Sequence, residues 1–345
     1  MPVSETNRKV LAAAFVSGLL AFASPAQAGR VTLTEENDAF IADTDRNYTQ
    51  GLRLSYLSDP ITQAVWNKPF DFLSDKFGIL DGSAPGAQRR IEWTVLGQSM
   101  FTPTNLRLTN PDPTDRPYAG WLYTGAAFLQ DHKTARGSEL ENFEVLVGVV
   151  GPASLARQTQ TDFHTLINVR PAFGWAYQLS NEPGVVVTYE RKWRYHQQAL
   201  GPIAFDMIPT AGASVGNVFT YAQVGTTFRI GHNLEADYGP AQVRPAISGT
   251  AWFDDDVARG RVGWTLFVGV QGRAVARNMF LDGNAFAASR SVSKNVFVMD
   301  VSAGASAWIS NAIKLDFTVI ERSPEFKTQK GWDRYGMLSL TFAFW

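Results

Sequence analysis

Apolar and polar residues alternate with a period of two in many short stretches of this chain. An early example runs from Thr44 to Leu57. Counted from Tyr48, one set of alternate positions is largely apolar: Tyr48, Gln50, Leu52, Leu54 and Tyr56. The positions between them are small or charged: Thr49, Gly51, Arg53 and Ser55. This period predicts a β-strand, whose apolar face either a protein core or membrane lipid would cover.

The alternation recurs along the chain and predicts about twelve strands, each near the ~9–11 residues that a tilted membrane-spanning strand needs. Further candidate strands lie near residues 31–42, 92–98, 118–131, 143–149, 169–180, 185–196, 203–214, 218–231, 262–275, 295–308, 312–322 and 334–345. The segments near 58–88, 102–117 and 232–260 carry Pro, Gly, Asp and Asn and are predicted to be loops. No run keeps the helical period long enough to predict a helical domain.

The stretch GVVVTYERKWRYH separates its two faces most clearly. One face is apolar or aromatic: Val185, Val187, Tyr189, Trp193 and Tyr195. The other is mostly charged or titratable: Val186, Thr188, Glu190, Lys192, Arg194 and His196. A soluble core could not hold such charges unpaired, whereas a water-filled or salt-bridged barrel lumen can. We therefore predict an all-β fold, a transmembrane antiparallel β-barrel of about 12 strands.

The two ends of the chain agree with this prediction. The last residues place Leu338, Leu340, Phe342 and Phe344 on one face, with Trp345 on the other parity. A buried last strand of a soluble sheet is the alternative. At the start, Arg8 and Lys9 precede an apolar run, and Ala-Gln-Ala ends at Ala28. This layout predicts a secretory signal peptide over residues 1–28, because the run is short for a helix that crosses ~30 Å. Residues 29–345 would then form a single outer-membrane barrel domain.

Composition and charge exclude some partners. The net charge of the 345-residue chain is -1, so we expect no broad basic surface for nucleic acid. The chain contains no cysteine, which excludes disulfides and thiol chemistry. We expect a monomer.

Three polar clusters in predicted loops are candidates for chemistry. The first contains the oxygen-bearing residues Glu35, Glu36, Asn37, Asp38, Asp43 and Asp45. Oxygen ligands at this density suit a hard cation such as calcium. The alternative is a solvated acidic turn. The second lies within residues 98–116 and contains Gln98, Asn105, Arg107, Asp115 and Arg116. Its alternative interpretation is a turn with a salt bridge. The third follows Gly151-Pro152, where a short helix would place Gln160 and His164 on one face. A histidine there can activate water, or it can be purely structural.

Four motifs in order, ENDAF, TDRNYTQGLRLSY, TDRPYAGW and GPASLARQTQTDFH, resemble the outer-membrane lipid A deacylase family, LpxR. The resemblance covers essentially the whole chain after residue 28. It implies a twelve-stranded barrel in the bacterial outer membrane. It also implies a calcium-dependent enzyme that hydrolyses the ester of the 3′-acyloxyacyl chain of lipid A, the anchor of lipopolysaccharide. The implied catalytic layout is similar to that of a secreted phospholipase A2.

The resemblance also implies roles for individual residues. Asp38 matches the calcium ligand, and His164 matches the base that activates water. Gln160, Asn37 and Thr49 match residues that position water, substrate or ligand.

Other positions depart from the family pattern. Arg107 matches one member of a basic pair that binds substrate, but Leu106 stands where the family has lysine. Arg170 stands where a relative has glutamate. Arg53 shares the polar face with Thr49, and we assign it with Arg107 to substrate binding.

Alternation along the strand places Thr49 on the same face as Arg53, and Asp38 on the same face as Thr32 and Thr34. It therefore predicts a site on the lumen side of the barrel, near the rim. Two other functions stay open. A passive channel or binding barrel would hold Asp38 and His164 far apart. An outer-membrane phospholipase would hold a serine beside a histidine, although the chain shows no Gly-x-Ser-x-Gly elbow.

Overall fold

A single antiparallel sheet forms most of the structure, which is a computed structural model that describes residues 29–41, 46–195, 198–239 and 251–344. The predicted signal peptide lies outside the described residues. The strands are β1 (Gly29–Asn37), β2 (Asn47–Leu57), β3 (Gln88–Thr102), β4 (Ala119–Thr134), β5 (Gly137–Val150), β6 (Glu182–Tyr195), β7 (Gln198–Leu200), β8 (Ile203–Gly216), β9 (Phe219–His232), β10 (Val262–Asn278), β11 (Phe297–Ile309), β12 (Ile313–Arg322) and β13 (Asp333–Phe344). The helices are α1 (Ala64–Phe77), α2 (Ala156–Leu166), α3 (Asp255–Ala258) and α4 (Met279–Asp282). None of these helices is long and apolar enough to cross a membrane.

The sheet closes into a barrel. Strand β1 pairs with both β2 and β13, and β6 pairs with β8. The three residues of β7 only extend the edge beside β8, so the barrel wall has 12 strands. The predicted fold class and strand number are confirmed. We call the end at which β1 begins and β13 ends the terminal end, and the other the distal end.

The two faces of the wall follow the sequence pattern. On β6, Thr188, Glu190 and Lys192 are buried in the lumen, whereas Val185 is exposed on the outside and Val187 is half-buried there. Strands β10 to β12 likewise alternate between exposed apolar and buried residues. The predicted two-faced pattern is therefore confirmed on β6, while His196 and Trp345 lie outside the described residues. An outer wall of apolar side chains suits membrane lipid.

Ion pairs and aromatic side chains fill the lumen. Asp255, carried inward by the loop after β9, accepts hydrogen bonds from Arg30 at 2.8 Å and from Arg90 at 3.0 Å. The guanidinium of Arg90 also lies over the ring of Trp252. Towards the distal end, the lumen is packed with aromatic residues: Tyr48, Phe101, Trp121, Tyr123, Phe219, Phe280 and Tyr335. The described interior is a salt-bridged and packed core.

The structure corrects two predicted segments. Residues 169–180, predicted to be a strand, form a loop with a short 3₁₀ helix at Gly174–Tyr177, because Trp175 packs against the barrel wall instead of extending a sheet. Residues 58–88, predicted to be a loop, contain α1. Its helical pattern is interrupted by Pro69 and by polar residues, but Phe70 and Leu73 still share a buried face.

The structure also corrects the predicted face of Tyr48. The register between β2 and β3 shifts between Tyr48 and Gln50, so one extra residue is inserted and the alternation changes phase there. Tyr48 consequently points into the lumen, with its ring 5.4 Å from that of Phe101 and 5.2 Å from that of Tyr335. Leu52 and Leu54 keep the predicted outward side, where they are half-buried.

Candidate active site

The candidate residues Asn37 and Asp38 lie where β1 ends at the distal rim. Asn37 pairs with Gln50 on one side and Gly336 on the other. It has the outward parity of Val31 and Leu33, opposite to the buried Thr32 and Thr34. The chain then turns through a 3₁₀ helix, Asp38–Phe40. A Cβ on Gly336 would lie 2.9 Å from the Cβ of Phe40, so this turn folds against the outer wall.

Asp38 organises the loop that follows it. Its side chain is only 3% exposed, and its Oδ2 accepts a hydrogen bond of 2.7 Å from the backbone N–H of Arg46. The other two acidic residues of this loop, Asp43 and Asp45, lie outside the described residues. The buried carboxylate of Asp38 is thus held at the rim by the backbone of Arg46.

Thr49 lies at the irregularity in β2 and bridges to β3. Its Oγ1 is 2.6 Å from Oγ1 of Thr102. Directly beside it, Asn37, Gln50 and Met100 are paired in a row across β1, β2 and β3. Neighbouring strands lie ~5 Å apart, so this row extends about 10 Å along the outer wall.

Helix α2 packs against this same part of the outer wall. Gly120 on β4 has no side chain at the point where Ser154 and Ala156 touch the strand. Gln98 on β3 donates a hydrogen bond of 2.7 Å to the carbonyl of Ser154. Met100, at the end of the row, packs against Ala156. A substitution of Gly120 by any larger residue would push the start of α2 away from the wall.

Gln160 and His164 form the buried face of α2, as their spacing predicted. Oε1 of Gln160 accepts a hydrogen bond of 2.7 Å from the indole of Trp175, which also packs against Met100. Nδ1 of His164 lies 2.9 Å from the backbone carbonyl of Arg170. Because a carbonyl can only accept, Nδ1 must carry a proton and the lone pair of the neutral ring lies on Nε2.

The loop between β3 and β4 lies beside α2. Leu106 packs against the cluster around Trp175, and its carbonyl accepts a hydrogen bond of 2.9 Å from Phe173 N–H. The neighbouring Arg107 is exposed, with its backbone N–H bonded to Asn105 Oδ1 at 3.0 Å. Leu106, which stands where the family has lysine, thus packs against its neighbours. Arg107 is an exposed charge on the same loop.

Arg53 lies on the opposite side of the wall. Its guanidinium is buried in the lumen, 3.0 Å from Glu92 and 3.4 Å from Glu144. The bulge at the start of β2 separates the parity of Arg53 from that of Thr49. Arg53 neutralises lumen carboxylates and does not share a face with the other candidates.

The structure therefore corrects the predicted position of the site. Asn37, Thr49, Gln160 and His164 gather around one patch of the outer wall at the distal rim, not on the lumen side. Trp175 and Thr102, which hold Gln160 and Thr49, were not among the residues predicted to form the site. Trp175 lies inside a segment predicted to be a strand, and Thr102 is the first residue of a predicted loop, so neither carried a signal of this role.

The donor groups near Asp38 suit a hard cation better than a soft one. The site offers carboxylate, amide, hydroxyl and carbonyl oxygens, and the chain has no cysteine, which favours calcium over thiolate-bound metals. Within residues 29–41, 46–195, 198–239 and 251–344, no three His, Asp or Glu side chains form a cluster that could hold a metal.

A family model and a solved structure with the same family name match this chain. A family model described as outer membrane protein LpxR matches residues 10–344. The solved structure of LpxR from Salmonella typhimurium superposes with a TM-score of 0.70 at 20% identity, covering 92% of this chain and 100% of that one. The β domain of the Bordetella autotransporter BrkA covers 91% of this chain and 97% of its own, with a TM-score of 0.43 at 7% identity. No curated protein sequence matches the chain.

Proposed function

Since the chain belongs to the LpxR family and is an outer membrane protein, we propose that it is a lipid A 3′-O-deacylase. Family and fold support an outer-membrane enzyme that modifies lipid A. In our proposal the bond cleaved is the ester of the 3′-acyloxyacyl chain. The observation that carries the proposal is the buried Gln160–His164 face, which lies on the outer wall beside Asn37 and Thr49.

The position of the site suits a substrate that is itself part of a membrane. Two connections at the terminal end, residues 135–136 and 310–312, are short, as is typical of periplasmic turns, although residues 58–87 and 233–261 at the same end are long. The distal rim would then face the outer leaflet. Lipid A could bring its ester to the outer wall while its acyl chains stay in the lipid.

His164 would act as the general base. The carbonyl of Arg170 fixes the proton on Nδ1, so Nε2 takes a proton from a water molecule as that water attacks the ester carbonyl. The bond between the carbonyl carbon and the 3′ oxygen of the sugar then breaks, and His164 returns the proton to that leaving alcohol oxygen. The products are the acyloxyacyl fatty acid and a 3′-hydroxyl. General base catalysis of this kind contributes roughly 10²–10⁴-fold in rate.

Gln160, Asn37 and Thr49 would position the reactants. Trp175 holds Oε1 of Gln160, which directs its amide N–H groups to the other side of the carboxamide, where they can donate to substrate or water. Thr49 is fixed by Thr102, and Asn37 lies in the row beside it. Arg107 would contact a lipid A phosphate from its exposed position on the neighbouring loop.

Asp38 would hold calcium together with other oxygens of its loop. Bound there, the ion would supply positive charge that stabilises the developing oxyanion of the ester. The burial of Asp38 and its bond to Arg46 N–H support a fixed carboxylate at this point.

A passive channel fits the structure less well. The described lumen is occupied by ion pairs such as Arg53–Glu92 and by the inserted Asp255 and Trp252. A phospholipase acting on other membrane lipids differs from our proposal in its substrate and is separated from it by the experiment below.

The experiment is a mass-spectrometric assay of lipid A incubated with the detergent-purified protein. We expect loss of one acyloxyacyl mass from the 3′ position with calcium. The loss should disappear with a chelator, and Asp38→Asn should require far more calcium because the ion loses its charged ligand. Phosphatidylethanolamine in the same assay is the control. Cleavage of that lipid independent of calcium would replace our proposal with a phospholipase, and unchanged lipid A from folded protein would contradict it.

The hydrogen bonds that hold His164 and Gln160 can be tested separately. Arg170→Ala should leave kcat within about twofold, because the group that holds His164 is the backbone carbonyl of residue 170, which alanine keeps. Trp175→Phe should lower kcat roughly fivefold, since Gln160 loses a hydrogen bond whose net worth is about 1 kcal/mol. Initial rates of fatty acid release would measure both. A large loss in Arg170→Ala would mean that its side chain, and not its backbone, serves the reaction.

A further inference from the structure

Helix α1 lies on the outside of the barrel, on the surface that faces lipid. Its buried residues, Phe70 and Leu73, pack against the outward side chains Ile91, Phe128 and Phe143 of β3, β4 and β5. The ring of Phe70 meets that of Phe128 edge-on at 5.3 Å. The segment before β3 therefore covers part of the wall near the terminal end that would otherwise be covered by the membrane.

The covered part of the wall also carries polar and charged groups. Arg89 donates to Asp71 of α1 at 2.7 Å and to Gln130 of β4 at 2.9 Å. The backbone N–H of Leu80 donates to Glu141 of β5 at 2.9 Å. Charged groups are costly on a lipid-facing wall, so α1 and the residues after it shield these groups from lipid.

The remaining apolar flank of α1 is uncovered. Val65 and Phe72 are 56% and 57% exposed, and Phe77, at the helix end on the side of Phe70, is 65% exposed. Val65 and Phe72 are two turns apart on one side of the helix, and the exposed Lys68 and Lys76 border them. A helix with a wide apolar face and flanking lysines is typical of a membrane interface.

The level of α1 on the barrel points to the same place. Ile91, which touches α1, is two residues from Trp93, and Trp93 pairs with Tyr56. Trp93 and Tyr56 are exposed on the outer wall. Trp and Tyr concentrate where membrane meets water, so α1 lies at this boundary, and its exposed flank continues the apolar belt of the wall.

From these contacts we propose that α1 is an interfacial membrane helix. It inserts Val65 and Phe72 into the acyl chains of the leaflet at the terminal end, and its polar side keeps contact with water. The partner of this surface is the phospholipid layer itself. This inference rests on the barrel fold and the outer-membrane location, and it is independent of the proposed deacylation.

The test uses nitroxide labels on the full-length chain, which has no native cysteine. The variants Val65→Cys and Phe72→Cys report on the apolar flank. Asp75→Cys, on the polar side of the same helix, is the matched control. Each folded protein would be reconstituted in vesicles of phosphatidylethanolamine and phosphatidylglycerol. We expect the ratio of oxygen to water-soluble nickel-complex accessibility to be several-fold higher at positions 65 and 72 than at 75.

Two results would overturn the proposal. Equal ratios at positions 72 and 75, with both labels accessible to the nickel complex, would place α1 in water. Labels at 65 and 72 that are shielded from both reagents, with line broadening that grows with protein density, would assign this flank to a second copy of the chain. A shift in gel mobility on heating would verify that each variant is folded before labelling.

Discussion

Replacing His164 with alanine should lower the rate of lipid A hydrolysis by roughly 10²–10⁴-fold, the range that a general base contributes. The Nδ1 contact to the carbonyl of Arg170 leaves Nε2 as the atom that accepts the proton. Without the ring, water must attack without a base. The loss should appear in kcat rather than KM, because the proton transfer occurs in the transition state. Time courses of fatty acid release at saturating substrate would measure it.

His232 offers a matched control for this variant. Its Nδ1 also contacts a backbone carbonyl, that of Pro202 at 2.7 Å, but it lies at the terminal end of β9. His232→Ala should retain full activity. If both variants lost activity equally, the defect would be one of folding, and if neither did, His164 would not be the base.

Replacing Arg229 with methionine should destabilise the barrel by about 3–5 kcal/mol, the usual cost of removing one partner from a buried ion pair. Arg229 Nε donates to Asp206 at 2.8 Å, and its Nη1 donates to Asp237. All three side chains are buried in the lumen. The variant would leave Asp206 without its partner and Asp237 with Lys314 alone. Urea unfolding in detergent, followed by tryptophan fluorescence, would measure the change in free energy.

The stability lost in Arg229→Met should depend on pH. Burial alone would raise the pKa of Asp237, but the charges of Lys314 and Arg229 outweigh burial and lower the pKa to about 2. A lowered pKa stabilises the folded wild type above the ordinary aspartate value of about 4, and this stability is lost as the pH falls towards 2. The variant has less of it to lose, so the difference between the two proteins should shrink on acidification.

Arg334→Met is the control for the ion-pair variant. Arg334 pairs with Glu321 on the outside of the barrel, where both side chains are exposed. Surface pairs contribute about 0–1 kcal/mol, so this variant should unfold almost like the wild type. A loss as large as that of Arg229→Met would show that buried and exposed pairs are equivalent here, contrary to our interpretation of the lumen.

Local alternation was enough to assign the two faces of most strands. Alternation fixed Val185 outside and Glu190 inside because side chains of a regular strand point to opposite faces. The charges on one face required partners in the lumen, and the structure supplies them. The four-residue spacing of Gln160 and His164 likewise fixed their common face, since this spacing is a property of any α-helix.

The side of the wall on which the candidate site lies could not be predicted from alternation. Parity placed Thr49 with Arg53, but the irregularity after Tyr48 separates them. Parity placed Asp38 with Thr34, but the strand ends at Asn37 and the chain turns over Gly336. Alternation holds only while a strand is regular, and its interruptions depend on neighbouring strands. The position of α2 on the wall depends on the contact of Ser154 with Gly120 and on the packing of Trp175 with Met100. These residues are far apart in sequence, so no local pattern encodes their contacts.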